Sequence, residues 1–145
     1  MSSINPLGRT FNATASITSS NKRVSLRDAS GVGFFVLNAS GATSLVVAEA
    51  NASTGGTSQT LAGTFPYWTQ GTGTGVWVAG AGGVNGTSIT TNAQTGALLF
   101  CFIPQGALSD GFSYLSASHA TGAILYVLAD LDVQRKPTNL RDVIA

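Results

Sequence analysis

The sequence predicts an all-β fold, a single antiparallel β-sandwich of about eight or nine short strands. Three observations carry that prediction. Apolar residues alternate with polar ones or gather in short runs, no segment of helical length shows a helical period, and 18 glycines with four prolines punctuate the chain. A barrel is the alternative closure for the same strands. The 145 residues amount to one domain, 1–145, and a domain of that size buries roughly 68–70 % of its unfolded surface. Residues 1–10 read as an extended N-terminal arm and 134–145 as a short C-terminal tail interrupted by Pro137.

Taken in order, Phe11, Ala13, Ala15 and Ile17 alternate with Asn12, Thr14, Ser16 and Thr18, the period of a half-buried strand. Asn21 to Arg23 reads as a turn, Val24 and Leu26 as a short second strand, and Asp28 to Gly31 as a break before the apolar run Val32–Leu37. After another break at Asn38–Gly41, Ser44–Ala50 is the next strand, and Asn51–Gln59 is polar and glycine-rich enough to be loop. Pro66 confines Leu61–Trp68 to an edge strand or a fixed turn, because proline cannot donate to a ladder. Val76–Ala79 is strand-like, Gly80–Gly86 is a glycine-dense turn, and Thr87–Thr91 is β-branched enough to pair. Ala97–Ile103, stopped by Pro104, is a continuous apolar run that predicts a central strand covered on both faces. Gln105–Gly111 turns the chain with room for one helical turn, after which Phe112–Ser118 and Ala123–Val133 complete the strands.

Charge is the scarcest commodity in this composition. Hydrophobic residues make up 43 % of the chain, which excludes a disordered segment, while charged residues are only 9 %, against roughly 25 % in an average soluble domain. The surface must therefore be covered by Ser, Thr, Asn, Gln and Gly, a pattern that suits a chain held in an assembly. The net charge of +1 gives no field for nucleic acid. All seven basic residues lie toward the ends, Arg9, Lys22, Arg23 and Arg27 before the middle and Arg135, Lys136 and Arg141 after it, and no charge of either sign falls between Ala50 and Ser109. These seven are expected to contact other protein chains through interchain salt bridges. The first residues lack the apolar core of a signal peptide, and no run is apolar enough to span a membrane, so the chain reads as made in a cytoplasm. Sequons at Asn12, Asn38, Asn51 and Asn85 are no more than this composition yields by chance.

No catalytic, cofactor or metal constellation stands out. His119 is the sole histidine and reads as a solvated turn residue, with Ser116, Ser118 and Asp110 near it only in sequence. Cys101, the only cysteine, excludes an intrachain disulfide and lies in the most apolar strand as a small buried hydrophobe. Asp130 and Asp132 next to Arg135 and Lys136 read as a mixed-charge strip. The glycines at 71–75 and 80–83 lack the Lys-Ser/Thr of a phosphate loop and the helix of a dinucleotide loop. Phe65, Tyr67, Trp68 and Trp77 form the aromatic group of the charge-free middle, read first as core, then as a protein-contact anchor, with a sugar-stacking platform as the third use.

Five stretches carry a resemblance to a known class of proteins. They are Leu7-Gly-Arg-Thr-Phe11, Gly31-Val-Gly-Phe-Phe35, Leu45-Val-Val-Ala-Glu-Ala50, Asp110-Gly-Phe-Ser-Tyr-Leu115 and the closing stretch Asp130 to Leu140. In that order they resemble the capsid decoration, or cement, proteins of tailed bacteriophages. The resemblance implies a non-enzymatic virion protein on the outer surface of the capsid, contacting the major capsid protein and its own copies, with a trimer as the implied order. It implies no cofactor, nucleic acid, membrane or small-molecule substrate. A tail-tube or neck protein is the alternative virion part, and a carbohydrate-binding module using Trp68 and Trp77 is the alternative outside the virion.

Overall fold

The computed structural model describes residues 13–17, 22–37, 44–71, 73–80, 84–85, 89–90, 98–119 and 122–131. The expected arm 1–10 and tail 134–145 lie outside them. Thirteen strands are present among these residues: β1 (Ala13–Ile17), β2 (Arg23–Ser25), β3 (Ala29–Leu37), β4 (Ser44–Ala50), β5 (Ser58–Thr60), β6 (Thr64–Phe65), β7 (Tyr67–Gln70), β8 (Trp77–Ala79), β9 (Val84–Asn85), β10 (Ile89–Thr90), β11 (Leu98–Pro104), β12 (Tyr114–His119) and β13 (Ala123–Leu131). The excess over eight or nine comes from two- and three-residue pieces such as β5, β6 and β9. A 3-10 turn at Gln105–Ala107 follows β11.

Two antiparallel sheets form the β-sandwich. One runs β1-β13-β3-β11-β7-β8, the other β10-β4-β12-β2 with β5 also on β4, and β6 and β9 make a separate two-stranded ribbon. The sheets share one core, in which Val32, Phe34 and Val36 of β3 and Leu99, Cys101 and Ile103 of β11 meet Val24, Leu45, Val47 and Leu115 of the opposing sheet. Register explains the choice of face. Cys101 lies opposite Phe34 and Ile103 opposite Val32 on the inside, so Phe100 opposite Phe35 and Phe102 opposite Gly33 face out.

The apolar run is thus central in its sheet, as expected, but not covered on both faces. Leu99, Cys101 and Ile103 are buried, whereas Leu98, Phe100 and Phe102 are half-buried. Part of their cover is the rings themselves. A Cβ at Gly31 would stand 2.6 Å from the Phe102 ring and 2.5 Å from the Ile103 carbonyl oxygen, and one at Gly33 would stand 3.0 Å from the Phe100 ring. The glycines let two phenylalanines lie down on the strand. That is why Ala29 to Gly31, read from sequence as a break, belongs to β3, with Gly31 paired to Pro104 and Ala129. Likewise Ser58 and Gln59, read as loop, pair with β4 as part of β5, because Asn51 folds the intervening turn on itself by donating its N–H to the Thr57 carbonyl and accepting the Thr57 N–H on its side-chain oxygen.

A polar contact crosses the core. The Tyr126 hydroxyl of β13 donates to the Ala117 carbonyl at 3.0 Å and accepts from the Ala117 N–H at 3.4 Å. β2 pairs with β12 only as far as Ser116, so the phenol meets the peptide group just past the end of that pairing. Its ring is also edge-on to Phe34, 5.2 Å away at 77°. Tyr126→Phe keeps the ring and strips Ala117 of both partners. The expected cost is about 1–3 kcal/mol of folding stability, read as a lower urea midpoint with an unchanged slope.

Candidate interaction surface

The outer face of the six-stranded sheet is the one place where the structure gathers residues singled out from sequence. Trp68 lies opposite Phe100 across the β7–β11 ladder, with ring centroids 5.9 Å apart, and Phe100 stacks at 4.6 Å on Phe35. Trp77 of β8 closes the far side of a groove of about 330 Å³ whose walls are Phe35, Trp68, Trp77 and Phe100. The first reading of the two tryptophans as core does not hold. Trp68 is half-buried and Trp77 is 42 % exposed, because register sets both on the sheet face that no second sheet covers. Phe65, by contrast, is core, and Tyr67 packs against it. Past the groove the same face continues to Leu37 and Leu125, which are 47 % and 39 % exposed.

The basic residues are dispersed. Lys22 is exposed, and Arg9, Arg135, Lys136 and Arg141 lie outside the described residues. Arg23 donates through Nη1 to the Ala52 carbonyl at 2.8 Å and the Gly55 carbonyl at 2.6 Å, so its guanidinium holds the 51–57 loop of its own chain. Arg27 donates through Nε to Ser113 Oγ at 3.2 Å and lies 5.7 Å from the Tyr114 ring centroid, an exposed cation–π pair. β1 and β2 belong to the two sheets, so residues 13–17 and 23–25 are part of the sandwich.

Besides Tyr126, the titratable side chains buried among the described residues are Glu49, His119 and Cys101, and each serves structure. Glu49, fully buried on β4, accepts from Gln59 Nε2 at 2.6 Å, Ser109 Oγ at 2.6 Å and the Ser109 N–H at 2.8 Å. Burial alone would raise its pKa, but the bonds from Gln59 and Ser109 outweigh that and hold it below the ordinary carboxylate value. Sequence reading gave Glu49 no role. Its only signal was a lone acid in an otherwise apolar strand. His119 is not a solvated turn residue; it is 2 % exposed at the end of β12, and its Nδ1 accepts the Gly122 N–H at 2.8 Å. Burial pushes its pKa down, which keeps the ring neutral with the proton on Nε2. Ser116 Oγ turns to the Ala48 carbonyl and Asp110 is exposed in a turn. Cys101 is fully buried, and burial pushes its thiol up to about 12, far from a nucleophilic thiolate.

Chemically, then, the face offers aromatic and aliphatic contact with no titratable side chain on the groove wall, which suits an apolar protein surface better than a polar ligand. Among the described residues no three of His, Cys, Asp and Glu come close enough to hold a metal ion. Comparison with protein-family models, with curated proteins and with solved structures finds no match for this chain.

Glu49 generates a pH-dependent expectation. A carboxyl whose pKa is lower folded than unfolded adds stability that is complete above the unfolded value of about 4.3. That stability is lost as pH falls through the lower folded value. Glu49→Gln faces donors with an amide that must itself donate, and should lower stability by about 1–3 kcal/mol at neutral pH. Urea denaturation at descending pH should show the wild type and Glu49→Gln converging below about pH 4, and a gap that stays constant would refute the assignment.

Proposed function

We propose that this chain is a non-enzymatic structural protein of a virion, binding the outside of a phage capsid and stabilising it by bridging capsomers. Its contacts are the major capsid protein and further copies of itself. The observation that supports this reading most directly is the outer face of the six-stranded sheet, where Leu37, Leu125, Trp68 and Trp77 present apolar surface around an aromatic groove. A sandwich whose second apolar face is left to solvent gains stability when neighbours cover it. The charge-free stretch from Ala50 to Ser109 supplies β7, β8 and the whole of β11, so this flank docks by packing, and basic residues such as Lys22 and Arg27 are left for acidic rims. A tail-tube or neck role uses the same surface chemistry and differs in location. The carbohydrate reading has both tryptophans in one groove in its favour, but a sugar needs directional polar partners that four aromatic walls do not supply.

Imaging of particles of the phage that encodes the chain, with quantitation of the chain against the shell protein, tests the proposal. The chain should sit on the outer capsid surface in fixed ratio to the shell protein. Density confined to the tail or neck, or a chain missing from particles, would overturn it. Leu37→Ser combined with Leu125→Ser should lower capsid occupancy at least tenfold, since about 1.4 kcal/mol of lost apolar contact is a factor of ten, while the circular dichroism spectrum stays unchanged.

A further inference from the structure

We propose that β8 is a self-pairing edge, so that two copies of the chain join antiparallel through Trp77–Ala79 about a twofold axis centred on Val78. The inference rests on the self-association in the function proposed above and adds the strand, the register and the symmetry.

β8 ends the six-stranded sheet, and among the described residues no strand pairs its far side. The free backbone groups can be assigned. Gly80 N–H donates to the Tyr67 carbonyl at 2.9 Å, in step with the β7–β8 register that sets Val78 opposite Thr69. In an antiparallel ladder alternate residues turn their peptide groups to opposite sides, so Val78 bonds inward to β7 while Trp77 and Ala79 turn theirs to the open edge.

Natural sandwiches protect such edges with charge, proline or polar side chains. The other edges whose side chains are described follow that rule, with Lys22, Arg23 and Arg27 at β2 and Ser58, Gln59 and Thr60 along β5. β8 has no such protection. Val76 and Val78 are 62 % and 59 % exposed, and the nearest charge in sequence lies beyond Ala50 on one side and Ser109 on the other.

A second copy is the occupant that fits. An uncharged edge cannot select a partner by charge, and it repels its own image no more than any other strand. Centred on Val78, the twofold sets Trp77 of each copy opposite Ala79 of the other, large against small, as Ala79 already lies opposite Trp68 within the chain. All four open peptide groups of each edge, the N–H and C=O of Trp77 and of Ala79, then find a partner. The added strand is antiparallel like every other pair in this sheet, which is the ordinary chemistry of strand addition. The two aromatic grooves would flank the axis on one continuous sheet.

The test is the mass of the full-length chain by light scattering or sedimentation. The wild type should be dimeric. Val78→Lys sets like charges directly opposite each other across the axis and should weaken dimerisation at least tenfold, with the same spectrum and melting temperature for the monomer. Ala79→Pro removes one edge donor while sparing the β7 ladder, and should weaken it as well. Mixing Val78→Lys with Val78→Glu should restore dimers as heterodimers. A trimer, a monomer at all concentrations, or a dimer indifferent to both substitutions overturns the pairing. Capsid attachment is scored separately: a monomeric chain that decorates particles sinks the pairing alone, and a dimer that meets these tests but never decorates them sinks the capsid reading alone.

Discussion

The six-stranded sheet is apolar on both faces, and the rest of the molecule is arranged around that constraint. In β3, β11 and β13 the residues at even and at odd steps are alike mostly hydrophobic or glycine, so no twist or register could leave a polar face outward. One face is covered by the second sheet. The other is covered in part by its own rings, with Phe100 and Phe102 laid over Gly33 and Gly31. Self-cover of this kind lowers the exposed apolar area without adding a layer, but it leaves Leu37, Leu125 and Trp77 in solvent.

The few buried polar groups show how a chain with so little charge keeps its sheets in register. Tyr126 ties β13 to β12, and Glu49 ties β4 to β5 and to Ser109 beyond the turn that leaves β11. His119 closes the β12–β13 connection on Gly122, where a Cβ would stand 2.6 Å from Nδ1. Among the described residues no buried side-chain nitrogen or oxygen lacks a partner. Buried polar atoms that are fully satisfied act as fixed points, whereas an apolar core alone tolerates slippage. Tyr126 and the Glu49–Ser109 bonds join segments that no backbone ladder links directly, so they supply constraints that strand pairing does not, while the Glu49–Gln59 bond reinforces the β4–β5 register.

The fold was legible because period-two alternation and turn residues are local signals. Ser44–Ala50 and the run ending at Pro104 fall almost residue for residue on β4 and β11. What sequence could not show was the covering of faces, since the run Ala97–Ile103 looks the same whether one or both sides are packed. For the same reason Trp68 and Trp77 passed for core. His119 was misplaced because Gly122 and Thr121 suggest an open turn, while burial there depends on where the chain passes from β12 of one sheet to β13 of the other. Arg23 was legible as a cation at a turn, but its partners, the carbonyls of Ala52 and Gly55, lie about thirty residues away, beyond any local pattern.

The distribution of charge follows from the same constraint. A strand set with two apolar faces is secure only where its neighbours are also uncharged, because a lone charge on such a face is desolvated when the face is covered. Glu49, the one acid buried in the sandwich among the described residues, is surrounded by three donors. Elsewhere charge is held to the margins of the fold, at β2 and in the segments toward the two ends of the chain. A monomer under selection for solubility would place charges on its outer sheet face and on its edge strands. Among the described residues neither the outer face of the six-stranded sheet nor β8 carries a charge, which is what the proposed docking of that face and the proposed pairing of that edge require, since a charge there would be desolvated in either contact.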